Sequence, residues 1–380
     1  MLGYGVEQTV LVAEEPVDHR SLDARALSDT PRGDSRGTLL LKEARCDLHD
    51  SPARVQPALY LCVVSHVPTI RHHRYHCISR DIIQVIPSIA GGGASMIIVT
   101  GATGALNGAT VDHLLKLVPA EDITVAVRDV AKAQRFTDRG VTVRQGDYAH
   151  PASLPKAFEG ADQLLLVSSN DPTADAVSLH RSAIEAAAAV GVGRILYTSH
   201  QAAGLKNPFG PANDHAATEQ LLADSGVAWT SLRNGFYAHS LGWLAGPWQE
   251  TGAITVPGDG PVSWTAREDA AEAAAIILAS SGAYDGPITL TASAAPTFED
   301  IAVIASDLTG RNIERVVLDK DEWIAAQIAR GTPEFVARFS LGFYQAAEQG
   351  RFAGVDPLLA TLLGREPRTA GDALGDPANH

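Results

Sequence analysis

The 380-residue sequence predicts an α/β fold: a doubly wound parallel sheet with a smaller α+β C-terminal domain, and an irregular stretch in front of both. Three observations carry this. From Met96 onward, Ala-rich segments with helical periodicity alternate with short Val, Ile and Leu runs, as a chain of βαβ units requires. The first of those runs, IIVT at 97–100, leads straight into a glycine-rich turn, GATGALNG at 101–108, and then into apolar residues at helical spacing in ATVDHLLKLV at 109–118. Residues 1–95, in contrast, sustain neither the strand nor the helix period.

The organisation expected is therefore an irregular or disordered leader over 1–95, a Rossmann-like sheet domain over 96–235, and a smaller domain over 236–380, some of whose strands return to the main sheet. In the leader, GGGASM at 91–96 sets a glycine run just before a Met that opens a strand. A purine-rich ribosome-binding site would read this way if translated, so Met96 is expected to be the native start, with a genuine disordered extension as the alternative. The histidine tract HVPTIRHHRYH at 66–76 is read as irregular chain in preference to a metal site. All three cysteines, Cys46, Cys62 and Cys77, lie in the leader at spacings that match no paired zinc pattern, and no metal is expected. The N-terminus lacks a basic n-region and turns acidic early, unlike a secretory signal, and runs such as ALYLCVV at 58–64 are far below the roughly 20 apolar residues of a membrane span. A cytoplasmic location follows as the default. A net charge of −14 argues against a nucleic-acid surface, which needs clustered Lys and Arg.

Strand, glycine turn and helix in that order form a phosphate-binding context. Glycines let the backbone approach a pyrophosphate, and the helix N-terminus offers unpaired N–H groups. The candidates are Gly101, Ala102, Thr103, Gly104, Ala105 and Leu106. The spacing G-x-x-G-x-x-N-G places Asn107 where a third glycine would normally let the helix pack closely on the strand, and Gly108 is positioned to take over that role. The second strand, ITVAV at 123–127, ends at Arg128, whose planar fork suits a ribose 2′-phosphate; an acidic residue there would favour the unphosphorylated ribose. NADP(H) is expected over NAD(H), with Asp129 next door as the counter-argument and Lys132 either assisting or merely solvated. The third strand, VTVRQGD at 141–147, delivers Asp147 and Tyr148 to the adenine end, and the fourth, QLLLVSSN at 163–170, delivers Ser168, Ser169 and Asn170. Each could instead cap a helix or form a turn; their shared address at strand C-termini favours the cofactor.

TGATGAL at the first turn, AVRD after the second strand, QGDYAHPASLPKAFEGADQLLLVSS, AAAAVGVGRILYTS at 186–199 and LLADSGVAWTSLRNGFY at 221–237 together resemble the NmrA-like atypical short-chain dehydrogenases, and within them the quinone-reductase branch. The resemblance runs from Met96 to about residue 300 and more loosely beyond. It implies NADPH in a cleft between the two domains and hydride transfer to small quinones, without flavin. It also implies that Ser168, Ser169 and Asn170 line the path to the nicotinamide, with Ser199 on the cofactor side, and that Arg233, Asn234, Gly235, Phe236 and Tyr237 flank nicotinamide and substrate. Arg267 matches a further pocket-facing position.

Ordinary short-chain dehydrogenases use Tyr-x-x-x-Lys, but the corresponding helix reads GPANDHAATEQLLADSG at 210–226, putting Pro211 in the tyrosine slot and His215 in the lysine slot. Quinones are strong electrophiles whose reduced oxygens take protons from water or a weak acid, so this departure argues against alcohol or carbonyl chemistry more than against hydride transfer. The catalytic candidates are His215, as ribose ligand or proton donor near neutrality unless it is simply exposed; Asn234, as a donor to a growing oxyanion; and Tyr237, stacked on or bonded to the acceptor. Two rivals stand beside this reading: a non-catalytic NADP(H)-binding sensor, and a reductase or isomerase of a specialised metabolite. The partner expected is a small quinone-like molecule, with homo-oligomerisation open. Further on, Trp264 is read as core, the stretch around 249–264 as hairpin-like, and TFEDIAVIASDLTGR at 297–311 as a helix capped by Thr297 with Asp300.

Overall fold

The computed structural model describes residues 95–169, 171, 174–280 and 284–376, and within 1–94 three short strands only. The chain divides into two compact units, residues 1–88 and 89–380. In the first, β1 (Thr9–Leu11) pairs antiparallel with β2 (Leu61–Val64), and β2 with β3 (Cys77–Ile78), where the sequence suggested no regular structure. The histidine tract and the glycine run before Met96 otherwise lie outside the described residues.

The second unit is built on β4 (Ile97–Thr100), β5 (Ile123–Val127), β6 (Thr142–Gln145), β7 (Gln163–Leu166), β8 (Arg194–His200), β9 (Ala228–Asn234), β10 (Phe236–Tyr237), β11 (Ala253–Val256), β12 (Trp264–Thr265), β13 (Gly286–Leu290) and β14 (Glu314–Val317). Seven of these form one parallel sheet in the order β13-β9-β8-β7-β4-β5-β6. Every residue of β4, β5 and β7 is buried, because helices cover both faces. Continuous apolar runs, rather than alternation, are the consequence.

The helices are α1 (Ala105–Leu114), α2 (Gln134–Thr137), α3 (Leu154–Phe158), α4 (Ala176–Ala189), α5 (Gly210–Asp224), α6 (Leu241–Leu244), α7 (Trp248–Thr251), α8 (Arg267–Ala279), α9 (Phe298–Thr309), α10 (Lys320–Ala329), α11 (Glu334–Glu348), α12 (Leu358–Leu363) and α13 (Ala370–Gly375). On one face of the sheet Val111 and Leu114 of α1, Phe136 of α2, Ile277 and Leu278 of α8 and Leu359 of α12 form a core; on the other, Phe158 of α3, Ile184 of α4 and Leu222 of α5 form a second. A third core, with Trp248, Trp264, Phe298, Phe343, Tyr344 and Phe352, belongs to the smaller domain. Because α8, β13 and α12 return to the sheet, a cut at 235/236 runs through the sheet layer.

Two local expectations change. The first helix begins at Ala105, four positions before the apolar spacing starts, since Gly104 takes an extended N-cap conformation inside the glycine turn. The stretch before Trp264 is not a hairpin: β11 pairs in parallel with β14, and the Gly- and Pro-rich segment between β11 and β12 packs on the end of α11, where Gly258 and Gly260 leave no room for a Cβ against Glu348 and Ala347. Trp264 is in the core as expected, and Thr297 with Asp300 forms the capping box of α9. Among the described residues no helix is long and apolar enough to cross a membrane.

Candidate functional site

Strand order reverses between β4 and β7, and open α/β sheets bind ligands at the carboxyl ends of strands at that point. The glycine turn lies there. Gly101 has φ +62°, a left-handed conformation, and a Cβ on it would meet Val167 Cγ1 at 2.6 Å. Both constraints demand glycine. Ala102 is buried beneath the turn, whereas Thr103, Gly104 and Ala105 are exposed and Leu106 half-exposed. No acidic residue occupies the first turn of α1, so the positive end of that helix is left for an anion. Asn107 turns inward, its Nδ2 donating to Thr100 O at 2.8 Å, and Gly108 supplies the close approach: a Cβ there would sit 2.8 Å from Ala102 O.

Across the switch point three consecutive backbone N–H groups are each held by a side chain from a different element. Val167 N–H donates to Thr100 Oγ1 at 2.8 Å, Ser168 N–H to Thr198 Oγ1 at 2.8 Å, and Ser169 N–H to His180 Nε2 at 2.7 Å. The segment after β7 is thus fixed with the Ser168 and Ser169 side chains half-exposed. Asn170 lies outside the described residues. His180 was not singled out from the sequence, because a histidine inside an Ala-rich helix carries no motif.

At the end of β5 Arg128 is exposed and has no acidic hydrogen-bond partner among the described residues. Asp129 is occupied elsewhere: its side chain accepts from Ala131 N–H at 3.1 Å and lies 3.9 Å from Lys132. Asp147 accepts from Ala149 N–H at 3.0 Å and contacts His150 Nδ1 at 2.9 Å; burial raises its pKa, but these bonds hold it below the ordinary value overall. The Tyr148 hydroxyl is 2.7 Å from Thr100 Oγ1 and donates to Val167 O at 3.2 Å, so it ties β4 to β7, while its ring is half-exposed at the end of β6.

Ser199 and Arg233 are likewise engaged internally. Glu219 of α5 accepts from Ser199 Oγ at 2.8 Å, Ser231 Oγ at 2.7 Å, and both Nε (3.0 Å) and Nη2 (2.5 Å) of Arg233. Burial would raise the Glu219 pKa, but the guanidinium and the two hydroxyls hold it below its usual range. This cluster clamps α5 to the ends of β8 and β9, which neither residue's sequence context revealed.

Asn234 and Tyr237 are together: Asn234 Nδ2 donates to the Tyr237 hydroxyl at 3.2 Å, and burial, opposed by this bond, pushes the phenol up to about 12. Arg267, the first residue of α8, adds positive potential at Tyr237 and at His239, whose ring is 5.8 Å from that of Tyr237. Gly235 admits no Cβ against Thr265, and Phe236 packs at 4.5 Å on Phe343 and 5.6 Å from His200. Four buried side-chain atoms in this neighbourhood lack partners: Asn234 Oδ1, His200 Nε2, His239 Nδ1 and Trp264 Nε1. Such atoms at strand C-termini are where a polar ligand or ordered water would bond.

His215 is neither exposed nor poised near neutrality. Its Nδ1 is 2.8 Å from the Tyr197 hydroxyl, its ring stacks at 6.1 Å on His200, and burial followed by the neighbouring histidines holds its pKa well below 6.5. Burial also pushes His180 and His200 down to about 4. All three imidazoles are neutral at physiological pH. Among the described residues no group of three His, Cys, Asp or Glu side chains is arranged to hold a metal.

A switch-point glycine cradle, a basic residue after the second strand and an aromatic second domain define a dinucleotide-binding α/β protein. The chain belongs to the NmrA-like family, which it matches over residues 93–357. It is 35% identical over 280 residues to quinone oxidoreductase 2 of Escherichia coli, covering 73% of this chain and 97% of the relative. The crystal structure of the NADPH-dependent quinone oxidoreductase from that organism complexed with NADPH superposes with a TM-score of 0.68 at 34% identity, over 73% of this chain and 98% of that one. Triphenylmethane reductase of Citrobacter complexed with NADP(H) gives 0.65 at 30% identity, over 73% and 98%. In sequence and fold this chain is quinone-oxidoreductase-like.

Proposed function

We propose that the chain is an NADPH-dependent oxidoreductase acting on a quinone-like acceptor without the Tyr-x-x-x-Lys dyad. The observation that carries the reading is the turn at Gly101, where positive φ and the close approach of Val167 admit only glycine in a switch-point loop that leads into the uncapped N-terminus of α1. Arg128, hydrogen-bonded to no described carboxylate, supports the 2′-phosphate and hence NADP(H). The named activities of the Escherichia coli and Citrobacter relatives support the acceptor class.

When bound, NADPH supplies the hydride. The chain's own residues bind and orient. Gly101 to Leu106 hold the pyrophosphate on the α1 N-terminus, and Ser168 and Ser169 border the path toward the nicotinamide. Asn234 Nδ2 spends one N–H on the Tyr237 hydroxyl, which fixes the amide, and has a second N–H to donate to charge growing on an acceptor oxygen. The half-buried rings of His200 and His215, backed by Phe236, supply an apolar wall for a flat molecule. The test is the fall in NADPH absorbance with and without a simple benzoquinone, beside an NADH control. NADPH consumption that requires the acceptor supports the reading.

One observation favours a second reading. Helix α5 carries Pro211 and His215 where a dehydrogenase carries its proton relay, which suits a sensor that binds the nucleotide without turnover. A sensor binds NADP+ and NADPH with unequal affinity and leaves NADPH intact with every acceptor tried.

A further inference from the structure

We infer that Tyr197 is a positioning residue: its phenolic O–H donates to Nδ1 of His215 and so keeps on Nε2 a neutral N–H that the bound dinucleotide takes up. The inference rests on the NADPH reading above and concerns residues of this chain alone.

The hydrogen bonds around Tyr197 favour one direction. Ser169 N–H is a backbone donor that cannot reverse, so His180 Nε2 is an acceptor and its proton is on Nδ1. That Nδ1–H donates to Thr218 Oγ1 at 2.8 Å, and Thr218 sends its own proton to the carbonyl of Asp214 at 2.8 Å. Thr218 has thereby given its proton away and cannot donate to Tyr197, while one of its two lone pairs stays open. Tyr197 is fully buried at the edge of His180, with ring centroids 5.4 Å apart, and must place its hydroxyl proton somewhere. Of the two acceptors beside the phenol, the open lone pair of Thr218 and Nδ1 of His215, the proton is assigned to His215 Nδ1, which makes the 2.8 Å hydrogen bond. A neutral imidazole that accepts at one nitrogen carries its proton on the other.

Nε2 of His215 has no partner among the described residues. The ring lies against His200, the last residue of β8, at the carboxyl edge where ligands of such sheets bind. Being neutral, His215 is a hydrogen-bond donor and not an acid. In the opposite arrangement His215 would donate from Nδ1 to the phenol, the phenol would turn to Thr218, and Nε2 would present only a lone pair.

Nitrogen-15 spectra of the histidine-labelled full chain decide between the two, with the His215 signals assigned by their loss in His215→Gln. The proton is expected on Nε2 in the wild type, and a mixture of both tautomers in Tyr197→Phe. A wild-type proton on Nδ1, or a Tyr197→Phe spectrum that stays wholly Nε2–H, overturns the inference. In titrations with NADPH, Tyr197→Phe should bind roughly three- to tenfold more weakly, the range of one neutral hydrogen bond. In a His215→Gln background, which keeps a donor near the Nε2 position, the same substitution should change affinity by less than about twofold. An undiminished effect there means that Tyr197 acts through packing and overturns the inference. None of these readouts is turnover: a protein that passes them yet leaves quinones unreduced overturns the acceptor reading alone, and a wild type that fails to bind NADPH overturns both.

Discussion

Replacing Arg128 by Ala removes the one residue to which NADPH preference is ascribed, and the structure sets the size of the effect. A charge-assisted bond to a phosphate contributes about 1.5–3 kcal/mol when shielded. Arg128 is exposed at the end of β5, so solvent screening brings the expected loss to about 1–2 kcal/mol, or roughly five- to thirtyfold in affinity. Asp129 does not blunt the effect, since its carboxylate is held by Ala131 N–H at 3.1 Å. The assay is kcat/KM for NADPH and for NADH against one benzoquinone, in wild type and variant, at low and high salt. The ratio should collapse by about the factor above, through NADPH alone, and the wild-type preference should itself shrink as salt rises. An unchanged ratio, or an equal loss with both nucleotides, refutes the assignment of Arg128.

Three further outcomes follow from the same geometry. Gly101→Val combines a φ of +62° with a wall at 2.6 Å, so the cradle must distort; NADPH binding measured by titration should be lost while the secondary structure seen by circular dichroism persists. Glu219→Gln leaves the Arg233 guanidinium without its countercharge and should lower stability by about 2–4 kcal/mol, read as a melting point lower by roughly 5–10 °C; an unchanged melting curve contradicts the clamp. For pH, His180, His200 and His239 are pushed from 6.5 to about 4 by burial, so the unfolded chain binds more protons below 6.5. Stability should therefore be constant above about pH 6.5 and fall as pH drops toward 4, with Glu219 protonation adding to the loss lower still. A melting point flat through that window would show that these rings are solvated.

The sheet was legible because burial on both faces forces apolar runs: IIVT, ITVAV and QLLL stand out from polar connections, and all three strands lie where those runs do. The cradle was legible because positive φ and close approach select glycine, and Gly108 takes over the close approach that the Asn107 substitution put in question. Contacts between distant segments were not legible. Nothing local in RILYTSH says that Tyr197 meets His215 or that Ser199 meets Glu219, since both pairings arise only when α5 lies on β8. Arg233 shows the same limit: nothing in the LRNG stretch says that its Nε and Nη2 bond a carboxylate on α5. The pairing of β11 with β14 was hidden for the same reason, because a parallel partner can lie at any separation in sequence.

The protonation states at the site limit the chemistry it can support. His180, His200, His215 and His239 are held neutral by burial, Tyr237 is pushed up to about 12, and Glu219 is locked in an ion pair. No group at the end of β8 and β9 is then poised to deliver a proton at neutral pH, whereas general acid catalysis works best with a pKa near the operating pH. An ordinary ketone, whose alkoxide must be protonated as it forms, is a poor acceptor for such a site. A quinone is suited to it, because its reduced oxygens are stabilised by the ring and accept protons from water afterwards. On the proposed reading hydrogen-bond donation from Asn234 suffices, and the rate should be level between about pH 6 and pH 9 because none of these histidines, Tyr237 or Glu219 titrates there. A bell-shaped profile centred near neutrality would mean that one of these histidines is solvated and charged during turnover, and the argument from neutral donors would fail.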